Sequence, residues 1–430
     1  MTDAAFNGTV LPTTPSGAGP TARQVASVVA GNALEFYDFL TYSLFAVQIG
    51  QTFFPSSNPA SSLLASLGAF GAGFLTRPIG AIVIGRFGDR AGRKPAMLLT
   101  FALMGLSIVG LALTPSFQMI GIAAPITAIA FRLAQGFALG GEVGPSTAYL
   151  IEAAPPGRRG LYVSLQYQGQ GAAILCAGLI GVALNTLLDA GTMRLWGWRI
   201  AFLAGATIVP FGLAVRRGLV ETLHQPEAAA VGGEVRSARY LRVAVLGLFL
   251  LASGTTVTYV LTYMTTYAAS TLHMPIGLAF GASAILGLTT VVFCPLGGWL
   301  SDRFGRKPVM MVPWATLAVL AVPCFSVIAH LRSQLALFSA TALMAGAGAI
   351  GGAAMLAAIT ESLPKPVRSA TLALVYALAI AIFGGSAQFN VAWLTGATHN
   401  PVAPAWYMVV GVCVGLVAMA AMRETAPARR

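Results

Sequence analysis

The stretch Asp89-Arg90-Ala91-Gly92-Arg93-Lys94-Pro95 recurs as Asp302-Arg303-Phe304-Gly305-Arg306-Lys307-Pro308, 213 residues further on. A second element, Glu152-x-x-Pro155-x-x-x-Arg159, recurs as Glu361-x-x-Pro364-x-x-x-Arg368 at an offset of 209. Two unrelated motifs at nearly equal offset mark an internal duplication. The chain is therefore read as two similar halves, each with an acidic and basic loop after its second long apolar run and a Glu/Arg pair around the loop after its fourth.

What lies between these loops sets the fold class. Of the 430 residues, 57% are hydrophobic and 9% are Asp, Glu, Lys or Arg, against roughly 25% charged in a soluble domain. At about 20 apolar residues per bilayer crossing this suffices for about twelve transmembrane helices and excludes a water-soluble globule. Charges and Pro/Gly clusters leave apolar runs at 24–50, 60–86, 95–115, 119–152, 160–188 and 198–220. A second set follows at 240–270, 276–301, 308–331, 334–361, 367–395 and 402–422. Run length and the lack of short alternating segments favour helices over a barrel. The expected fold is an all-α integral membrane protein of two pseudo-symmetric six-helix bundles, with the substrate site between them near the midplane. The expected divisions are a disordered cytoplasmic tail (1–22), the first bundle (23–220), a cytoplasmic linker (221–239), the second bundle (240–423) and a cytoplasmic tail (424–430).

The net charge of +12 first suggests an acidic partner. With the N-terminus in the cytoplasm, however, 20 of the 25 cations fall in cytoplasmic loops or tails, the distribution that orients helical membrane proteins. Nucleic acid is then unnecessary as a partner, and the anionic inner leaflet suffices. No cleavable signal peptide is visible; the cation distribution is that of a chain with both termini cytoplasmic, and a bacterial inner membrane is the expected location. The four cysteines lie in apolar runs without CxxC spacing and read as buried structural thiols, and the four histidines form no metal-ligand cluster. With no GxxxxGK[ST] loop, ATP-driven pumping has no support. No metal and no cofactor are expected.

The informative charges lie inside the spans. Asn32, Glu35, Asp38 and Tyr42 follow one another at spacings of 3, 3 and 4 and share one helix face. A charge at the bilayer centre costs at least about 2.5 kcal/mol, so two carboxylates on one stripe require a cavity or a cationic partner. Once the cations counted with the loops and span ends are set aside, Arg77 and Arg132 are the only basic residues left inside the apolar runs. Two readings follow for the carboxylates, proton coupling or a structural ion pair holding helix 1 to helices 2 and 4. Arg132 is the best candidate for gripping a substrate carboxylate, because a guanidinium is a planar two-pronged donor that keeps its charge; its other reading is partner to Glu35 or Asp38. Gln135 lies one turn on, and Glu142, seven residues beyond it, is another candidate proton carrier or a gating group. Gln166 and Gln170 share a face of helix 5 and either line a cavity or bond neighbouring helices.

The second half differs. From Val243 through Leu300 and from Ala370 through Met422 there is no Asp, Glu, Lys or Arg. Its candidate substrate contacts are neutral: Tyr263 among the repeated Tyr259, Tyr263 and Tyr267 of helix 7, and Tyr376 and Gln388 in helix 11. Asp89 and Arg93, with Asp302 and Arg306, are candidate gating residues, pairing with arginines or with the end of a neighbouring helix; their alternative role is topological.

The run Gly85-Arg86-Phe87-Gly88-Asp89-Arg90-Ala91-Gly92-Arg93-Lys94 resembles the loop signature of the major facilitator superfamily. Gly31-Asn32-Ala33-Leu34-Glu35-Phe36-Tyr37-Asp38-Phe39, Arg77-Pro78-Ile79-Gly80-Ala81, Arg132-Leu133-Ala134-Gln135-Gly136-Phe137 and Trp196-Gly197-Trp198-Arg199 are similar to its metabolite:proton symporter family. Thr52-Phe53-Phe54-Pro55, the Gln166/Gln170 pair and Ile382-Phe383-Gly384-Gly385 look most like the citrate and tricarballylate carriers. Thr265 and Gln388 depart from that pattern, at positions often held by Pro. The resemblance implies a monomeric secondary symporter that imports a small organic anion with H⁺ by alternating access. Citrate or a related di- or tricarboxylate leads. Shikimate, oxoglutarate or betaine/proline are alternatives, as are a transport-inactive receptor or a membrane-embedded enzyme. The sequence leaves H⁺ and Na⁺ open as coupling ions.

Overall fold

The computed structural model describes residues 22–91, 93–140, 143–206, 238–363 and 368–426. The described residues are helical or in short connections, with no strand among them. Among the described residues eight helices are long and apolar enough to cross a membrane, and two shorter ones, Leu98–Leu113 and Ala123–Leu139, are apolar as well.

The helices fill a six-and-six plan. Crossing 1 comprises Ala22–Leu44 and Ala46–Phe53, crossing 2 Pro59–Leu75 and Arg77–Ala91, and crossing 3 Arg93–Leu113. Crossing 4 comprises Ala123–Leu139 and Val143–Ala153, crossing 5 is Arg159–Leu187, and Trp198–Ala206 opens crossing 6. In the second half crossing 7 runs through Ala238–Thr262 and Met264–Thr266 into a π-helical stretch, Tyr267–Thr271. Crossings 8, 9 and 10 are Ile276–Phe304, Arg306–Leu331 and Gln334–Ser362. Crossing 11 is Arg368–Ala379, a π-helical stretch Ile380–Gly384, and Gly385–Thr398; crossing 12 is Ala403–Ala421. The tail expected over 1–22 and the linker over 221–239 lie, apart from residue 22 and residues 238–239, outside the described residues.

Small residues set the helix spacing. Lipid tails are as apolar as Leu, so helices associate through close packing. A Cβ on Gly136 would run into the Gly73 carbonyl, and one on Gly73 would meet the Arg132 carbonyl oxygen, so crossings 2 and 4 touch backbone to backbone. Crossings 2 and 11 do the same at Gly71 and Gly385, joining the halves. The two π-helical stretches of the second half lie in the crossings that carry Tyr259 and Gln388, and such stretches locally re-aim side chains.

The two halves meet at both ends. Near the duplicated loops, Asp302 of crossing 8 accepts hydrogen bonds from the backbone N–H of Gly160 (2.8 Å) and Leu161 (2.9 Å) at the start of crossing 5. At the far side Phe45 packs on Phe280, ring centroids 4.7 Å apart.

Candidate functional site

Crossings 1, 2 and 4 place their polar residues in one buried compartment. Crossing 2 breaks at Thr76, just before Pro78. A proline supplies no N–H, and its ring collides with the carbonyl four residues back, which interrupts the helix. The freed Thr76 hydroxyl donates to the Leu133 carbonyl at 2.6 Å, tying the break to crossing 4. With Gly73 and Gly136 permitting close approach, Arg77 and Arg132 come to face the same side of crossing 1.

Phe39 is what they face. The Arg132 guanidinium carbon lies 4.1 Å from the centre of the Phe39 ring and that of Arg77 4.6 Å from it. Arg132 also lies over Tyr42 (4.5 Å) and Phe70 (5.2 Å), and Arg77 over Phe74 (4.6 Å). Phe39 meets Phe74 edge-on at 4.3 Å and Phe70 at 5.1 Å, which completes an aromatic box. Desolvated cation–π contacts are worth about 2 kcal/mol each, comparable with the cost of a charge at the bilayer centre on the insertion scale. The rings thus do for these cations part of what an anion would do.

Asp38, next to Phe39 on crossing 1, is 1% exposed, and neither of its oxygens has a hydrogen-bond partner. Arg132, fully buried, is its electrostatic neighbour. Arg132 donates from Nη1 to Gln135 Oε1 at 2.6 Å, while its Nε and Nη2 have no partner. A buried carboxyl and a buried guanidinium that share a compartment without bonding each other leave capacity for a third group, one that accepts from the guanidinium and one that shares charge with the carboxyl.

The other predicted contacts separate into two sets. Asn32 and Gln166 bond each other: Gln166 Nε2 donates to Asn32 Oδ1 (2.7 Å) and Asn32 Nδ2 to the Gln166 carbonyl (3.1 Å), so this amide pair ties crossing 1 to crossing 5. Gln170, one turn on, faces the Tyr376 hydroxyl of crossing 11 across the boundary between the halves. Gln388 is fully buried in a cross-half contact: Ser43 Oγ donates to its Oε1 (2.9 Å), and its Nε2 reaches Ser43 Oγ (2.6 Å), Thr262 Oγ1 (3.1 Å) and the Tyr259 carbonyl (3.3 Å). Tyr259 closes the box from the second half, with centroids 5.4 Å from Phe74 and 6.0 Å from Phe70. Tyr263 is not brought there; its hydroxyl faces Ser270 and Thr271 of its own crossing.

At the duplicated loops the second copy forms a charge network. Arg306, 1% exposed, donates to Asp302 Oδ1 (2.7 Å), Ser301 Oγ (2.7 Å) and both oxygens of Glu361 (3.1 and 3.0 Å). Asp302 therefore meets an arginine and the end of a neighbouring helix at once. Arg368 and Glu152, members of the second duplicated motif, approach across the halves at 3.9 Å. Of the tail expected over 424–430, residues 424–426 lie among the described residues and pack on this network. Glu424 accepts from the backbone N–H of Arg306 and Lys307 (both 2.9 Å), and Thr425 Oγ1 donates to Glu361 Oε2 (2.9 Å). The start of crossing 9 leaves N–H groups without intrahelical partners, and a carboxylate satisfies them. Glu142 lies outside the described residues, as do the side chains of Glu35, Asp89 and Arg93. Among the described residues no group of three or more His, Cys, Asp or Glu could hold a metal ion.

Sequence reading missed Phe39, Phe70, Phe74, Ser43 and Glu424. Aromatics in an apolar run carry no signal that separates core from cage. For Phe39 the one available signal was its place directly after a buried carboxylate.

A two-half helical bundle with a buried ionic compartment at its centre and charged loops at one mouth is the build of a membrane transporter, not an enzyme. The family model for the Major Facilitator Superfamily matches residues 30–387, and the chain belongs to that superfamily. It is 35% identical to a citrate-proton symporter of Klebsiella pneumoniae, over 92% of this chain and 90% of that one. It is 36% identical to the alpha-ketoglutarate permease of Escherichia coli K12, over 86% and 87% respectively. Among solved structures, the partially occluded inward-open xylose transporter XylE from E. coli superposes with a TM-score of 0.76 at 18% identity, covering 93% of this chain and 97% of that one.

Proposed function

We propose that this protein is a proton-coupled symporter that imports a small organic anion, citrate or a related di- or tricarboxylate, by alternating access. It would do so as a monomer in a bacterial inner membrane, with both termini and the duplicated loops in the cytoplasm. The observation that carries this reading is the pair of buried, unsatisfied groups at the centre: Asp38 with neither oxygen bonded, beside Arg132 with two nitrogens unpartnered. A substrate carboxylate supplies the acceptors Arg132 lacks, and a proton on Asp38 removes the charge that would repel that anion. Named relatives that carry citrate and alpha-ketoglutarate support the substrate class.

A betaine or proline carrier is the main alternative within the same mechanism. Quaternary ammonium groups are held in aromatic cages by cation–π attraction. Here Phe39, Phe70 and Phe74 already have guanidinium groups over their faces, which favours an anion. In this reading Arg132, Gln135 and Gln170 contact substrate with Tyr376 opposite. Asp38, and with it Glu35 and Glu142, serve coupling, and Asp302 and Arg306 the inner gate.

The test is uptake by the purified protein in proteoliposomes under an imposed pH gradient, with a panel of mono-, di- and tricarboxylates. Accumulation of a polycarboxylate without ATP, abolished by a protonophore and by Arg132→Ala, is the expected result. Accumulation of none of them, or driving by a Na⁺ gradient alone, would overturn the assignment.

A further inference from the structure

The open nitrogens of Arg132 have company. Gln135, whose Oε1 accepts from Arg132, leaves its Nε2 without a partner, and so do the hydroxyls of Tyr42 and Ser66. Tyr42 lies one turn beyond Asp38 on crossing 1, with the Arg132 guanidinium 4.5 Å from its ring centre. Ser66 lies one turn before Phe70 on crossing 2, and the Tyr42 ring stacks on Phe70 with centroids 5.9 Å apart and planes 26° from parallel. This stacking brings the two hydroxyls face to face. Both residues are fully buried, yet neither hydroxyl bonds the other or any other described group. Buried polar groups are nearly always hydrogen-bonded, so two orphaned hydroxyls that meet at one point mark a place for a further group.

The orphaned atoms differ in chemistry. The nitrogens of Arg132 and Gln135 can only donate, which suits a carboxylate, whereas a hydroxyl both donates and accepts, which suits a group that does the same. We infer that Tyr42 and Ser66 bind the alcohol hydroxyl of the substrate, so that the site selects hydroxylated di- and tricarboxylates over their counterparts without the hydroxyl. This rests on the reading of the Arg132 compartment as the carboxylate site. A substrate hydroxyl that donates to one of the pair and accepts from the other satisfies both. The counterpart with hydrogen in its place leaves both unpaired in a site closed to water, and that loss is the source of the selection. Ser43, next in sequence to Tyr42, belongs to the cross-half pair with Gln388. Release of that pair uncovers crossing 1 at the level of the two hydroxyls.

The experiment titrates the purified carrier with matched acids that differ only in the hydroxyl: citrate against propane-1,2,3-tricarboxylate, and malate against succinate. Binding is read as the rise in thermal stability. The unmodified carrier should bind the hydroxylated member of a pair about tenfold more tightly. Tyr42→Phe, which keeps the ring under Arg132, and Ser66→Ala should each cut that preference about fivefold, the scale of one hydrogen bond, by weakening the hydroxylated acid. The ratio is taken within one carrier, so a variant that folds less well still reports it. Ser62→Ala is the control. Ser62 is another buried hydroxyl of crossing 2 without a partner, one turn earlier, and it lies against Gly50, where an added Cβ would come 3.1 Å from its Oγ. This variant should keep the preference, and Arg132→Ala should weaken both members of a pair. No preference in the unmodified carrier, or a ratio that Tyr42→Phe or Ser66→Ala leaves unchanged, overturns the inference and leaves the carboxylate site standing. Equal weakening of both acids in those variants, or a like fall in Ser62→Ala, marks a packing role and overturns it as well. If none of the four acids binds, or Arg132→Ala leaves their binding unchanged, the reading of the compartment fails and the inference falls with it.

Discussion

Replacing Ser43 by Ala removes a single hydroxyl, and its effect can be worked from the contacts at the mouth opposite the duplicated loops. Ser43 belongs to the first half and Gln388 to the second; they exchange two hydrogen bonds, at 2.9 and 2.6 Å, and both residues are fully buried. The remaining bonds of Gln388, to Thr262 and the Tyr259 carbonyl, stay within the second half and persist when the mouth opens. Of the bonds Gln388 makes, only the Ser43 pair crosses between the halves. At about 0.6 kcal/mol per side-chain bond inside a membrane, two bonds hold the mouth closed by about 1.2 kcal/mol, roughly eightfold in population. Ser43→Ala also strips Gln388 Oε1 of its donor in the closed form, which adds to the shift, so a five- to thirtyfold rise in the population open at this mouth is expected, at about 1–2 kcal/mol in all. The assay uses a cysteine-free background carrying Ser66→Cys, at a fully buried position of crossing 2 on the same side. Reaction with a membrane-impermeant maleimide added to the side this mouth faces reports the open fraction, and the rate should rise by the same factor. A rate unchanged within twofold, in a variant that still transports, would refute the assignment of this pair as the clasp of the mouth opposite the duplicated loops.

Two further outcomes follow from the same contacts. Asp38→Asn should retain counterflow exchange and lose uphill accumulation, because an amide cannot carry the proton; unchanged accumulation measured under a pH gradient would remove Asp38 from the coupling mechanism. Glu424→Ala should lower detergent thermal stability by about 1 kcal/mol, the usual cost of a lost helix cap, and the difference should depend on pH. Burial raises the Glu424 carboxyl, but backbone hydrogen bonds from Ala426, Lys307, Arg306 and Thr425 outweigh it and hold the group below the ordinary carboxylate value. A depressed carboxyl stabilises above its unfolded value and loses that contribution as pH falls through the folded one. The gap between the two proteins should be constant from pH 8 to about pH 5 and close below about pH 4; a gap that changes between pH 6 and 8 would show that another group titrates with it.

Much of the fold was legible because membrane physics writes it into composition. A span must be apolar for about 20 residues, loops must be punctuated, and cations must collect on one side, so run lengths, the duplication of the Asp89 and Asp302 loops and the two-half plan were open to reading. The buried charges were equally visible, since Asp38, Arg77 and Arg132 stand out in an apolar background. Their partners were not. Asp38 and Arg132 attract on paper, yet in the structure the cation lies over Phe39, Tyr42 and Phe70 and leaves the carboxyl unbonded. Gln388 stood out as a polar residue of the second half, but that it pairs with Ser43, 345 residues away, depends on how the halves meet.

The sequence by itself therefore determined the class of protein, the number of crossings and which half carries charge, because each of these follows from local composition and spacing. The tertiary structure alone decided which charges touch, which rings shield them and which mouth each polar pair closes. Those depend on distances between helices far apart in sequence, set by backbone contacts such as Gly73 on Gly136 and Gly71 on Gly385, and no one-dimensional pattern carries such distances. The tail shows the same division. Glu424 reads as an end of chain, and only the fold brings it to the uncapped start of crossing 9, 118 residues earlier, where the free N–H groups need an acceptor.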